Sequence, residues 1–236
     1  MPSLMRRLLI VSAHYPPNPV GGAEIVAHRQ AKRLEADGWR TEVFAGRYDP
    51  SEAERDESVL ERENYDGLRI HRTPLSSIQL GGNFRSRRHA AQFAQVLSEF
   101  RPDVAHFHNI TGLGVNLVGV ARRAGVRTVV TLHDYWGFCL KNVLLRNDLT
   151  LCADHDACHE CVARVATPDG LLPVRLRRDY VMRELGQADA FIAPSNALAE
   201  NYAQAGLDLA RIATFSAGVD LQSFPQPTPA GSRAFE

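Results

Sequence analysis

Histidines and their polar neighbours recur where predicted strands end. His108 and Asn109 close the run DVAHFHN, and His133 and Asp134 close VRTVVTLHD. Imidazole both donates and accepts hydrogen bonds near neutral pH, so these residues suit the binding of a polar ligand. Such histidines can equally satisfy backbone groups at a strand end. His133, at the tip of its strand, is the stronger functional candidate, whereas His106 lies within its strand and is expected to be structural.

A second candidate site lies at the start of a predicted helix, in PPNPVGGAEIVAHRQAKRL. Gly21 and Gly22 precede a helix whose first N–H groups lack intrahelical partners, and those groups favour an anion such as phosphate. Glycine has no Cβ, so a ligand can approach the backbone closely. Glu24 in the first turn is also simply a favourable carboxylate at a helix N-terminus.

All four cysteines of the chain lie in one polar segment: Cys139, Cys152, Cys158 and Cys161. Four thiolates can build a tetrahedral structural zinc site, and thiolates prefer zinc to magnesium or calcium. His155 or His159 could replace one cysteine. The alternative is a set of reduced thiols, or disulfides formed during handling. Core packing does not explain why every cysteine lies in a polar loop, which favours a structural metal site.

Strand-like runs alternate with helical patterns along the chain. We predict strands at 7–13, 40–46, 66–74, 103–109, 126–134, 188–195 and 211–215, and helices at 23–38, 86–102, 112–125, 174–187 and 196–206. This alternation implies parallel strands joined by right-handed crossovers. The predicted fold is therefore α/β, with a Rossmann-like, doubly wound, mostly parallel sheet. Ligands bind at the C-terminal ends of such strands, where Ser195 also lies. The acidic stretch 49–63 is predicted to be a solvated loop.

Composition excludes several functional classes. Basic and acidic residues both number 27, so no strongly basic face for nucleic acid is expected. The N-terminal apolar run is interpreted as a strand rather than a signal peptide, and no apolar stretch is long enough to cross a bilayer. A cytoplasmic location is expected. The chain also lacks the G-x-G-x-x-G, P-loop and G-x-S-x-G motifs of dinucleotide oxidoreductases, P-loop NTPases and α/β-hydrolases.

Five segments, in this order, resemble the N-terminal half of the GT-B, family-4-like glycosyltransferases: YPPNPVGGAE, RPDVAHFHN, TVVTLHDYW, FIAPSNALAENY and AGVDLQSF. The resemblance covers nearly the whole chain. It implies a retaining transfer from a nucleotide-sugar donor to a glycan or lipid-linked acceptor, with no cofactor required for the chemistry. Residues 1–215 would bind the acceptor, with a Cys-rich insertion at about 137–172. Residues 216–236 would be a linker toward a missing donor-binding domain, without which the chain would be inactive.

The resemblance also implies roles for individual residues. His133 matches the family's histidine that hydrogen-bonds the donor sugar near the reacting carbon. Gly21 and Gly22 would lie against the donor diphosphate or the bound acceptor, and Glu24 and Asp134 would bind acceptor hydroxyls. The remaining substrate-binding candidates are His108, Asn109 and Ser195.

Three other functions stay open. One is a non-catalytic module that binds a sugar or polymer, and another is a GT-B sugar-nucleotide epimerase. A zinc hydrolase using His106, His108 and the cysteines is disfavoured, because four thiolates would close the metal site.

Two basic clusters could contact anionic lipid at the inner face of the membrane, although solvated helix faces are the favoured interpretation. These clusters are Arg85, Arg87 and Arg88, and Arg175, Arg177 and Arg178.

Overall fold

The structure, a computed structural model, describes residues 5–18, 21–48, 59–75, 84–167, 170–216 and 218. Its strands are β1 Arg7–Ser12, β2 Arg40–Tyr48, β3 Glu61–Tyr65, β4 Leu68–Leu75, β5 Val104–Phe107, β6 Arg127–Thr131, β7 Arg164–Thr167, β8 Gly170–Pro173, β9 Ala190–Ala193 and β10 Ile212–Thr214. Its α-helices are α1 Gly22–Ala36, α2 Arg87–Phe100, α3 Asn116–Arg123, α4 Cys158–Cys161, α5 Val174–Leu185 and α6 Asn196–Gln204. Most of the predicted linker, 216–236, lies outside the described residues.

Eight strands form one sheet in the order β10-β9-β6-β5-β1-β2-β4-β3. Every neighbouring pair is parallel except β3 and β4. The order in which the chain adds strands to the sheet reverses at β1. This strand pairs with β2 on one side and with β5 on the other. The predicted α/β, Rossmann-like, mostly parallel sheet is confirmed.

Helices cover both faces of this sheet because its strands alternate buried side chains between the faces. Ala27 and Ala31 of α1 pack on one face, in the same cluster as Leu8 and Ile10 of β1. The opposite face carries the larger cluster, which joins Leu9 and Val11 to the buried sides of α2, α3, α5 and α6. The sheet is therefore doubly wound, with α1 alone among these helices on its own side.

The prediction of a loop over 49–63 was wrong at its end. Residues 59–63 are described, and Glu61–Tyr65 forms β3, which pairs antiparallel with β4. The two strands join through Asp66 and Gly67, both with positive φ. The strand lies at the sheet edge and exposes charged side chains, which also protects an edge from pairing with another chain. It therefore lacks the apolar alternation by which a strand is normally recognised.

The loop after β1 is held close to β2. Gly46 N–H donates to the carbonyl oxygen of Ala13 at 3.0 Å, and a Cβ at Gly46 would clash with that same oxygen. Only glycine permits this approach. The contact places His14, the next residue, at the C-terminal edge of the sheet.

None of the described helices combines the length and apolar character needed to cross a bilayer.

Candidate functional site

The loops that follow β1, β5 and β6 are neighbours, because these strands lie side by side in the order β6-β5-β1. Backbone hydrogen bonds tie two of the loops together: Ala13 N–H donates to Asn109 O at 2.6 Å, and His108 N–H donates to Val11 O at 2.8 Å. The predicted strands end earlier than expected, at Phe107 and Thr131. His108 and His133 therefore extend into the rim of the sheet.

Three histidines form a row across this rim. His108 Nδ1 lies 3.0 Å from His133 Nε2, and the two rings stack with centroids 5.2 Å apart. The ring of His106 lies 4.4 Å from that of His108, and His106 Nε2 is 2.7 Å from Thr131 Oγ1. His108 is fully buried, whereas His133 is half-buried and is the member that reaches the surface. The structural role predicted for His106 agrees with these contacts.

Burial keeps the row neutral at physiological pH. Desolvation lowers the pKa of His133 to about 4, and desolvation together with the charge of His133 lowers the pKa of His106 to about 4. The pKa of His108 is also lowered, by burial first and then by its two histidine neighbours. Neutral imidazole rings do not present a positive charge to a ligand.

Hydrogen-bond accounting assigns the tautomers. His108 Nε2 is buried without a hydrogen-bond partner among the described residues. An unpaired buried acceptor is tolerated better than an unpaired N–H, so we place the proton of His108 on Nδ1. His108 then donates to His133 Nε2, and the remaining proton of His133 is on Nδ1. His133 is consequently a hydrogen-bond donor through Nδ1 rather than a ready base.

Acidification is expected to destabilise the fold between about pH 6.5 and pH 4. The folded pKa of these histidines lies below the unfolded value, so the unfolded chain binds protons first and stability falls as the pH falls. For His106, lowering the pKa from 6.5 to about 4 corresponds to about 3 kcal/mol lost by pH 4. Denaturant titration at a series of pH values measures the slope of the free energy of unfolding against pH. His106→Gln should make the slope shallower, and an unchanged slope would contradict this origin.

The turn formed by Gly21 and Gly22 at the start of α1, called the glycine turn below, is partly occupied by the carboxylate of Glu24. Gly21 N–H donates to Glu24 Oε2 at 2.7 Å in a capping-box arrangement, and Glu24 is 2% exposed. The structure therefore supports the capping interpretation of Glu24. Both glycines are exposed, and a Cβ at Gly22 would meet no atom within 4 Å. The fold does not need glycine at position 22, and the open space is available to a ligand.

The Glu24 carboxylate at the start of α1 affects the pKa of one residue in the loop after β6, Asp134, and of one in the loop after β1, His14. Burial raises the pKa of Asp134, the backbone N–H of Trp136 lowers it, and the Glu24 carboxylate raises it further. Burial lowers the pKa of His14, and Glu24 opposes that effect. Glu24 is thus within electrostatic range of both His14 and Asp134.

Tyr202 of α6 fixes the loop after β6. Its hydroxyl donates to Asp134 O at 2.9 Å and accepts from Gly137 N–H at 3.2 Å. Asp134 Oδ1 accepts from Trp136 N–H at 2.8 Å, which closes a tight turn. The sequence offered no signal for Tyr202, because its partners are more than 60 residues away along the chain.

A cavity of about 350 Å³ opens beside His133, between α1 and the ends of β6, β9 and β10. Arg29 and Arg33 of α1 line it together with Thr131 and Phe215. The two arginines were not predicted as site residues. Their spacing of four residues, which places both on one helix face, was the available signal.

Two predicted site residues have local structural roles. Ser195 caps α6 by accepting from Leu198 N–H at 3.2 Å, and Asn109 Oδ1 accepts from Thr111 N–H at 3.1 Å. Neither residue lines the cavity beside His133. Both stay candidates for ligand contact, since Ser195 is exposed and Asn109 is half-exposed.

The cysteines gather at a separate cavity of about 30 Å³. All four line it, as does His155, whereas His106, His108 and His159 do not. Within the described ranges, no group of three or more His, Cys, Asp or Glu side chains is placed so that it could hold a metal ion without moving. The four thiols are free and half-buried.

The second basic cluster is not a uniformly solvated face. Arg177 is 3% exposed and donates through Nη2 to Trp136 O at 3.0 Å. Burial lowers its pKa to about 10. Arg178 pairs with Asp156 at 2.9 Å, while Arg175 is exposed as predicted. The helical period places Arg177 toward the core and its neighbour Arg175 toward solvent.

Comparison with solved structures supports the fold. The lipopolysaccharide outer core galactosyltransferase WaaB, in its apo form, aligns with a TM-score of 0.51 at 15% identity, over 97% of this chain and 50% of that one. Anabaena HepE in complex with UDP-glucose aligns with a TM-score of 0.51 at 12% identity, over 92% of this chain and 45% of that one. The chain therefore spans about half the length of these two structures.

The sequence comparison identifies the family. No curated protein gives a significant match. The family model described as Glycosyltransferase Family 4 matches residues 20–223, which include the glycine turn, the histidine row and the cysteine segment. This chain belongs to glycosyltransferase family 4.

Proposed function

We propose that this chain is the acceptor-binding half of a retaining glycosyltransferase, which works when an opposing donor-binding domain supplies a nucleotide sugar. The observation that carries the proposal is the hydrogen-bonded His108–His133 pair at the C-terminal edge of the sheet, where His133 and helix α1 line one cavity. Family membership and the half-length alignments to two larger structures support it. The acceptor would be a glycan or a lipid-linked molecule.

The residues of this half would position the sugar rather than exchange protons with it. A retaining transfer develops positive character on the sugar ring and negative charge on the leaving phosphate. His133 stays neutral at pH 7 and would donate a hydrogen bond to the donor sugar, so it orients the sugar without adding a repelling charge. A preorganised donor of this kind stabilises charge better than water does, because it does not reorient during the reaction.

The glycine turn would contribute in two ways. Gly22 N–H occupies the first helical position and so has no acceptor within the helix. It is available to a donor phosphate or an acceptor hydroxyl, whereas Gly21 N–H is held by Glu24. A buried carboxylate next to a phosphate is unfavourable, so most of the charge on the leaving diphosphate must be balanced by the opposing domain.

The test is a transfer assay on protein that carries both halves. Such protein, incubated with a labelled nucleotide sugar and candidate glycan or lipid-linked acceptors, should give a product with the donor's anomeric configuration, as NMR can determine. The isolated 236-residue chain should bind acceptor and transfer no sugar. Conversion of the donor without any acceptor would instead indicate a sugar-nucleotide epimerase. Glycan binding without nucleotide consumption by the two-half protein would indicate a binding module.

A further inference from the structure

We propose that Cys139, Cys152, Cys158 and Cys161 bind one structural zinc ion in the small cavity that they line. The four thiols come from separate points of the segment between β6 and β7, yet all of them border the same space of about 30 Å³. Cys158 and Cys161 are three residues apart in α4, which places them on one face of that helix. A cavity of this size has room for a single ion and little else.

A buried arginine beside the cavity lacks partners that an anionic cluster would supply. Arg177 Nε and Nη1 are buried with no hydrogen-bond partner among the described residues. A buried guanidinium with unpaired donors is costly. Val174, three residues before Arg177 on α5, lines the cavity. Four thiolates around Zn²⁺ carry a net charge of −2, so their sulfur atoms would attract and accept from these N–H groups.

The thiols do not form a metal cage as they stand, because two of them make hydrogen bonds to the backbone. Cys158 Sγ lies 3.2 Å from His155 O, and Cys152 Sγ lies 3.3 Å from Asp154 O. Zinc binding would break these S–H···O contacts and turn the sulfur atoms toward the cavity. Each thiol releases its proton to solvent, so that four Cys–SH and one Zn²⁺ give one Zn(S-Cys)₄ cluster of charge −2 and four H⁺.

A closed shell of four thiolates leaves no position for water or substrate, so the role is structural. The ion would join the loop that follows Trp136 to α4 and, through Arg177, to α5. Arg177 also holds Trp136 O, two residues after Asp134. Zinc would therefore stabilise the segment that supports one side of the candidate functional site, whatever reaction that site performs.

Zinc content of the wild-type chain is the first test. Protein produced with zinc in the medium and dialysed under reducing conditions should retain about one zinc per chain by elemental analysis. Exchange with Co²⁺ should produce the thiolate-to-cobalt charge-transfer bands of a tetrahedral site. Wild-type protein with no stoichiometric zinc, whose four native thiols all react freely with a thiol reagent, would overturn the proposal.

Variants test the ligand set and the arginine. Cys158→Ser and Cys161→Ser should each lose stoichiometric zinc, and His159→Ala is the control because that exposed side chain does not line the cavity. Arg177→Met should weaken zinc retention against a competing chelator by about 10- to 100-fold. Arg175→Met, an exposed arginine on the same helix, should not. Equal zinc in the cysteine variants and the wild type would show that the ligands are wrong. If a cysteine variant does not fold, the wild-type zinc and cobalt measurements decide.

Discussion

His133→Ala is expected to lower kcat for sugar transfer by about 100-fold in protein that carries both halves of the enzyme. His133 is the half-buried member of the histidine row, and the hydrogen bond from His108 holds its ring in place. Its loss removes a fixed donor that no water molecule replaces with the same orientation. Steady-state kinetics with saturating donor and acceptor measure the effect.

His108→Phe separates the effect of the hydrogen bond from His108 to His133 from the effect of the volume that the His108 ring fills. The aromatic ring keeps most of the volume of His108 but cannot donate to His133, so the His133 ring loses its assigned tautomer. We expect a loss in kcat smaller than that of His133→Ala, together with a change in the ring nitrogen chemical shifts of His133. His159→Ala, at an exposed position, should retain full activity. A His133→Ala enzyme with kcat close to that of the wild type would contradict the proposed role.

Tyr202→Ala is expected to destabilise the chain by about 3–5 kcal/mol. The side chain is fully buried, and its ring packs edge-on against Phe138 with centroids 4.9 Å apart. The substitution creates a cavity beneath the loop after β6 and removes the hydroxyl that joins Asp134 to Gly137. Chemical denaturation at neutral pH measures the change in the free energy of unfolding.

Tyr202→Phe isolates the contribution of the hydroxyl. It retains the ring and leaves two backbone groups without their partner, which should cost about 1–3 kcal/mol. Tyr48→Ala is the control, because Tyr48 is 49% exposed and a surface substitution of this kind should change stability by less than about 0.5 kcal/mol. If Tyr202→Phe were as damaging as Tyr202→Ala, the hydroxyl rather than the packing of the ring would dominate.

The order of strands and helices could be read from the sequence because each element has its own local pattern. The β-branched run 126–134 and the capped helix after Ser195 both appear in the structure within a few residues of their predicted bounds. The rule that ligands bind at the C-terminal strand ends then pointed to His108 and His133. The edge strand β3 was missed because its charged side chains carry no apolar alternation.

The amino-acid sequence by itself determined a Rossmann-like sheet and the rim on which its polar residues lie, since both follow from the periodicity of neighbouring residues. Only the tertiary structure decided which side chains meet. His108 and His133 are 25 residues apart, and Tyr202 reaches Asp134 across 68. The packing of α5 likewise turned Arg177 inward beside the cysteines. Such contacts depend on strand order and helix packing, which no local pattern specifies.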